Sequence, residues 1–230
     1  MSRLIRKWNL IAEKNPNSPI SEGYRMLRTN IEFSTIDHKL QIIMVTSSQP
    51  GEGKSITCAN MAVSFAHANK RVLVIDADLR KPAQHHIFGL SNHKGLTSAL
   101  FHQQELKDVI QHSNTENLSV IAAGPNPPNP SELLSSDHMG ALLEKLRETY
   151  DVIIIDTPSI MSVTDAQIVA AQSDGVVLVI GSGKVKKEVA LKAKASLEHV
   201  QANLIGVVLN NINRNHSDSY SYYYGASNEA

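Results

Sequence analysis

The segment Ser48-Gln49-Pro50-Gly51-Glu52-Gly53-Lys54-Ser55 holds the most chemically specific spacing in the chain. Glycines at 51 and 53 let the main chain curl until its N–H groups point inward, the arrangement that cradles phosphate oxygens. Lys54 then places a compact positive charge on the β and γ phosphates, and the Ser55 hydroxyl can ligate Mg²⁺. The apolar run Ile42–Val45 stands before this segment and a helical pattern, Lys54–Asn69, follows it, which is the context a phosphate loop requires. The helix start adds its partial positive charge. Ser48 holds the first motif position, where Gly is usual, and so small a residue leaves binding intact. The expected ATP contacts are Ser48, Gly51, Glu52, Gly53, Lys54, Ser55, Thr57 and, from the far end of the chain, Asn210. The motif specifies nucleotide and magnesium without specifying a reaction.

Two further apolar runs end in acids. Val72–Ile75 leads into Asp76-Ala77-Asp78-Leu79-Arg80, and Val152–Ile155 into Asp156-Thr157-Pro158. In an open α/β sheet, ligands sit at the carboxyl ends of strands, so both acidic ends should face the phosphate loop. Carboxylates are hard oxygen donors suited to Mg²⁺, and phosphoryl transfer needs a group to orient or deprotonate the attacking oxygen. Asp156 alone could simply cap a helix. Asp76 and Asp78 at one strand end repel each other unless cations share the site. Arg80 and Lys81 can relieve that repulsion or contact phosphate. The candidate catalytic set is Lys54, Asp76, Asp78 and Asp156; the candidate metal set is Ser55, Asp76, Asp78 and Asp156.

Six β-branched-rich runs position these residues: Ile42–Val45, Val72–Ile75, Leu118–Ile121, Val152–Ile155, Val176–Ile180 and Leu204–Leu209. Each reads as a strand buried on both faces. Helical patterns at Lys54–Asn69, Glu105–Gln111, Met139–Tyr150, Asp165–Gln172 and Lys187–Val200 alternate with them. This predicts an α/β fold, a mostly parallel central sheet flanked by helices with right-handed crossovers. Residues 1–20 read as an arm ending in a turn. Residues 21–210 form the phosphate-loop domain, opened by an N-cap at Ser21 and a helix over Glu22–Phe33. In the loop 124–130, Asn129 reads as an N-cap, with Pro130 at the first helical position and Glu132 as the reciprocal partner. Residues 211–230 form a polar tail that cannot bury enough surface to fold alone.

Bulk properties exclude several classes. With 22 basic and 22 acidic residues the formal charge is zero, which removes the electrostatic case for a nucleic-acid partner. One cysteine, Cys58, cannot form an internal disulfide and fits a reducing compartment. The ten histidines show no metal-ligand spacing with it. Apolar runs are too short to cross a bilayer and the start lacks a signal-peptide pattern, so the expected location is the cytoplasm.

Together the phosphate loop, the Asp-x-Asp-x-Arg run at Val72–Arg80 and the Asp156 run resemble the Walker A, A′ and B motifs of the bacterial tyrosine kinases of capsular and exopolysaccharide biosynthesis. These belong to the phosphate-loop NTPases of the MinD/ParA type. Glu22-Gly23-Tyr24-Arg25-Met26-Leu27-Arg28 matches that family's Glu-x-x-Arg-x-x-Arg helix, and Tyr220, Tyr222, Tyr223 and Tyr224 its C-terminal tyrosine cluster. The resemblance implies ATP and Mg²⁺ as cofactors and autophosphorylation of those four tyrosines between subunits of a homo-oligomeric ring, an octamer in the family. It implies oligomerisation through Glu22, Arg25 and Arg28, and phosphorylation of other protein substrates. It further implies activation by the cytoplasmic segment of a separate transmembrane adaptor, which would recruit the kinase to the inner face of the membrane.

A tyrosine hydroxyl is neutral near pH 7 and must lose its proton during attack, so it needs a carboxylate base. Asp76 is the first choice and Asp78 the second. A rival reading is a MinD/ParA-like positioning ATPase, but Gln49 stands where that class carries its signature lysine, and the tail has no amphipathic helix. Another is a non-catalytic ATP-binding scaffold of an export complex, against which the intact Lys54, Ser55 and three aspartates argue. Asn210 and Asn211, ending the last run, suit either adenine recognition or a turn.

Overall fold

The computed structural model describes residues 10–34, 40–101 and 105–212. Tyr220, Tyr222, Tyr223 and Tyr224, with most of the expected tail, and residues 1–9 of the expected arm lie outside the described residues.

Two helices, α1 (Ile11–Lys14) and α2 (Pro19–Glu32), precede the first strand, β1 (Ile42–Ser47). Then follow α3 (Lys54–Ala66), β2 (Val72–Asp76), α4 (Gln84–Phe88), α5 (Leu96–Leu100), α6 (Leu106–Val109), β3 (Ile110–His112) and β4 (Leu118–Ile121). The second half contains α7 (Pro130–Leu134), α8 (Asp137–Arg147), β5 (Val152–Asp156), α9 (Asp165–Ala170), β6 (Gly175–Gly181), α10 (Lys187–His199) and β7 (Leu204–Asn210). Seven strands form one sheet in the order β3-β4-β2-β5-β1-β6-β7. All neighbours are parallel except β3, which runs antiparallel to β4.

The continuous apolar runs reflect cover on both faces. Ile42 and Met44 of β1 join a core with α8, α9 and α10, while Ile43 and Val45 join the opposite core with α2 and α3. Each successive side chain finds a helix layer, so no polar alternation is needed. β7 departs from the expectation of burial on both faces: Val207 is 54% and Leu209 58% exposed. The strand lies at the sheet edge with one neighbour. The expected helix over Glu105–Gln111 splits instead into α6 and β3, because Ile110 registers opposite Ile121 and extends the other edge of the sheet.

The N-terminal region also differs from the expected arm and turn. Leu10 and Ala12 are buried in the core under α3, and the Ala12 N–H donates to Asn60 Oδ1 at 2.9 Å. The helix cap is Ser18, not Ser21. Ser18 Oγ accepts from the Ser21 N–H at 3.1 Å, with Pro19 at the first helical position, where its missing N–H is not needed. Ser21 turns its own hydroxyl back to the carbonyls of Asn15 and Ile11, at 2.6 and 3.1 Å. At α7 the expected Asn129 cap bonds differently: its Nδ2 donates to the Glu132 side chain at 2.8 Å, and no main-chain N–H is capped.

Entry into β1 is fixed by Asp174. Its Oδ2 accepts from the main-chain N–H of Gln41 and Ile42 at 2.9 and 2.7 Å, and its carboxylate receives a bidentate pair from Arg147 at 2.8 and 2.6 Å. Burial alone would raise the Asp174 pKa, but Arg147 and the two N–H groups outweigh it and hold it below the usual carboxylate range. Asp174→Ala strands Arg147 and both N–H groups, so an unfolding free-energy loss of about 2–4 kcal/mol is expected at pH 7. A group with depressed pKa contributes stability that is lost as pH falls through the folded value. The gap between wild type and variant, read from urea midpoints, should therefore narrow in acid.

Candidate active site

β1, β5 and β2 end side by side at the centre of the sheet. Asp76 registers opposite Asp156, and Asp156 opposite Val45, so the acidic strand ends flank the start of the phosphate loop. The loop curls where its glycines permit, with φ of +84° at Gly51 and +93° at Gly53. A Cβ on Gly53 would lie 2.1 Å from Asn210 Nδ2. That Nδ2 donates to the Glu52 carbonyl at 2.9 Å. The Asn210 side chain thus braces the phosphate loop from the end of β7, and the next residue, Asn211, takes a turn conformation with φ of +58°.

Glu52 turns inward, nearly fully buried, and accepts from the Ser48 N–H at 2.9 Å and Ser48 Oγ at 2.7 Å. The two side chains expected to contact ATP thus close the loop upon itself. Thr57 is buried on α3. The Tyr24 phenol, raised in pKa by burial, approaches it from α2, yet Thr57 Oγ1 lacks a well-formed hydrogen bond.

Lys54 reaches across the crevice. Its Nζ lies 3.0 Å from Asp78 Oδ2, 3.5 Å from Asp156 Oδ1 and 3.1 Å from Ser55 Oγ. Burial would lower its pKa, but Asp156 and Asp78 more than reverse this and secure the charge. Asp76 is fully buried. Its Oδ2 accepts from the N–H of Ala83 and Gln84, both at 2.9 Å, and its Oδ1 from the N–H of Asp78 at 3.2 Å. Burial first, then the Asp156 charge, pushes its pKa up to about 8 against these bonds. Asp156 is raised too, chiefly by burial, with Lys54 opposing. Cys58, beneath the site, is pushed well up by burial and is inert as a nucleophile.

Among the described residues no group of three or more His, Cys, Asp or Glu side chains converges to hold a metal ion unaided. The Asp76 oxygens are engaged by main-chain N–H groups, and the Lys54 ammonium stands within 3.5 Å of both Asp78 and Asp156. The remaining hard oxygens suit Mg²⁺, which keeps several waters and takes few protein ligands beside the phosphates.

Arg80 contacts no acid of the site through its guanidinium. It forms a bidentate pair with the buried Asp165 at 2.9 and 3.0 Å, and Ser131 Oγ donates to the same carboxylate at 2.6 Å. Lys81 contributes only its main-chain N–H, donated to Asp78 Oδ1 at 3.0 Å. On α2, Glu22 and Arg25 pair with each other, whereas Arg28 Nη1 donates to the Ser64 carbonyl at 2.8 Å and ties α2 to α3. Sequence reasoning missed Gln84. It is fully buried at the start of α4, and its Nε2 donates to Asp156 Oδ2 at 2.7 Å. No motif or periodicity marks it.

A family model described as an AAA domain matches residues 40–204. The tyrosine-protein kinase YwqD of Bacillus subtilis (strain 168) is 48% identical over 222 residues, covering 96% of this chain and 93% of that protein. The putative tyrosine-protein kinase CapB of Staphylococcus aureus is 42% identical, covering 94% and 95%. The solved kinase domain of the Escherichia coli tyrosine kinase ETK superposes with a TM-score of 0.87 at 36% identity, over 94% of this chain and 85% of that one. The cell division ATPase MinD of Pyrococcus furiosus shares the fold, with a TM-score of 0.65 at 24% identity over 77% of this chain and 74% of that one. No helix among the described residues is long and apolar enough to cross a membrane.

Proposed function

Since this chain belongs to the bacterial tyrosine-protein kinases built on a phosphate-loop ATPase domain, we propose that it phosphorylates the tyrosines of its own C-terminal cluster in trans and thereby regulates capsular or exopolysaccharide synthesis and export. One observation carries the mechanism: a single ammonium, that of Lys54, joins Ser55, Asp78 and Asp156 at the carboxyl ends of adjacent parallel strands.

Phosphate binding falls to the inward N–H groups of the loop and to Lys54, which exchanges its carboxylate partners for β and γ oxygens. Ser55, Asp78 and Asp156 would hold Mg²⁺, directly or through water. When bound, Mg²⁺ would supply neutralisation of the negative charge on the triphosphate. Asp76 acts as base. The tyrosine oxygen bonds to the γ phosphorus, the bridge to the β phosphate breaks, and the phenolic proton passes to Asp76 Oδ1, which retains a lone pair. With its pKa raised to about 8, the Asp76 carboxyl must first give up its own proton, so labelling should rise with pH toward that value.

The reading includes a transmembrane adaptor that is a separate chain. Recruitment to the inner membrane face then depends on that adaptor's cytoplasmic segment. In an octameric ring, Glu22 and Arg25 are the members of the α2 strip open to a neighbour, since Arg28 is engaged on α3. Other tyrosine-bearing proteins can enter the same crevice.

Incubation with ATP and Mg²⁺, followed by anti-phosphotyrosine detection, tests the proposal. Wild type should label, and deletion of residues 220–224 should abolish self-labelling with MgADP affinity unchanged. Undiminished labelling of the deleted chain would sink the tail as acceptor.

A further inference from the structure

Resting on the magnesium–nucleotide reading of the crevice, we propose that Gln84 is a positioning residue that locks the Asp156 carboxylate to the start of α3 and so fixes how that acid meets the metal. Gln84 joins parts of the site that come from three separate strand ends. Its Nε2 donates both protons, to Asp156 Oδ2 at 2.7 Å and to the Ser55 carbonyl at 3.1 Å. Its main-chain N–H donates to Asp76 Oδ2 at 2.9 Å. The amide orientation is fixed by chemistry: both side-chain partners are acceptors, so nitrogen must face them.

That leaves Oε1, which is buried and has no hydrogen-bond partner. A buried carbonyl without a donor is destabilising. An apolar side chain of the same length would remove the cost, at the loss of the hold on Asp156. Mg²⁺ keeps several waters, so an acid fixed in this way can act on the metal directly or through one of them. Gln84 thus fixes, from behind, the orientation in which the Asp156 carboxylate meets the metal.

The test is calorimetric titration of the full chain with ADP, in Mg²⁺ and in EDTA, for wild type, Gln84→Met and Gln84→Glu. Met keeps length and removes donor and acceptor together. Glu keeps acceptors, removes both donors and sets a negative charge against Asp156. Melting temperature confirms a folded chain. Outer-shell partners of metal sites typically contribute about 10–100-fold in affinity. Q84M should therefore lose about that factor in the Mg²⁺-dependent gain in ADP affinity while its affinity in EDTA stays at the wild-type value, and Q84E should lose at least as much. An undiminished Mg²⁺ gain, or equal losses with and without Mg²⁺, would show that Gln84 merely packs. If Q84M does not fold, the same pair of titrations on Q84E decides between these results. Binding of MgADP requires no phosphoryl transfer. A wild type that shows this dependence but labels no tyrosine removes the kinase reading and leaves the role of Gln84 standing.

Discussion

Lys54→Met should reduce tyrosine self-labelling by about 100- to 1,000-fold, the usual effect of removing one preorganised charge from a phosphoryl-transfer site. The side chain is 13% exposed and lies within 3.5 Å of two carboxylates, so its charge acts in a poorly screened crevice. Met fills much of the same volume but leaves Asp78 and Asp156 facing each other without a cation. Asp156, already raised in pKa by burial, can recover by holding its proton more tightly, which limits the stability loss and keeps the chain folded. A second charge is not recovered: the γ phosphate meets two acids in place of an ammonium. Lys54→Arg keeps the charge on a larger planar fork that cannot occupy the same position, so it should restore only part of the activity. Anti-phosphotyrosine detection with ADP titration reads both effects. Retention of more than about a tenth of wild-type labelling by the Met variant would remove Lys54 from the transition state.

The sheet was legible because its strands are covered on both faces. Six apolar runs became six strands, one of them, β4, with the expected bounds and the other five extended by a residue or two, as at Asp76 and Asp156. Short elements were not. β3 has three residues and pairs on one side only, so its sequence carries no run long enough to separate from a helix turn. α4 and α5 have five residues each, about one turn, too short for an apolar stripe to repeat. β7 misled in the opposite way. Its apolar run matches a buried strand, yet only one neighbouring strand and part of a helix layer cover it.

At the site, the sequence pointed to which residues would meet because each stands at a strand end or in a glycine loop, positions fixed by topology. It did not show how they meet. Glu52, Asn210 and Arg80 carry groups that suit a ligand, and each bonds within the protein, to Ser48, the Glu52 carbonyl and Asp165. Such pairings join residues 4, 158 and 85 positions apart, and no local pattern encodes the longer two. Gln84 is the same case in reverse: an ordinary residue type made functional only by what surrounds it.

Asp76→Asn should move two measurements in opposite directions. As the base, Asp76 accounts for about 10²–10⁴-fold of the rate, and Asn cannot take the phenolic proton. Stability should respond the other way. The Asp76 carboxyl is raised to about 8 by burial and by Asp156. The folded chain therefore holds a proton that the unfolded chain releases several pH units lower, and wild-type stability declines as pH rises between the two values. Asn does not titrate. Its oxygen accepts from Ala83 and Gln84 as before, at the modest cost of turning an NH₂ toward the Asp78 N–H. The stability of the variant relative to wild type should thus increase from pH 5 to pH 8, read from denaturant midpoints with unchanged slope, while labelling collapses. A structural acid would give only the first effect. If labelling survives in Asp76→Asn and is lost in Asp78→Asn, the base is the residue that Lys54 touches, and the buried carboxyl serves to hold the turn that carries Gln84.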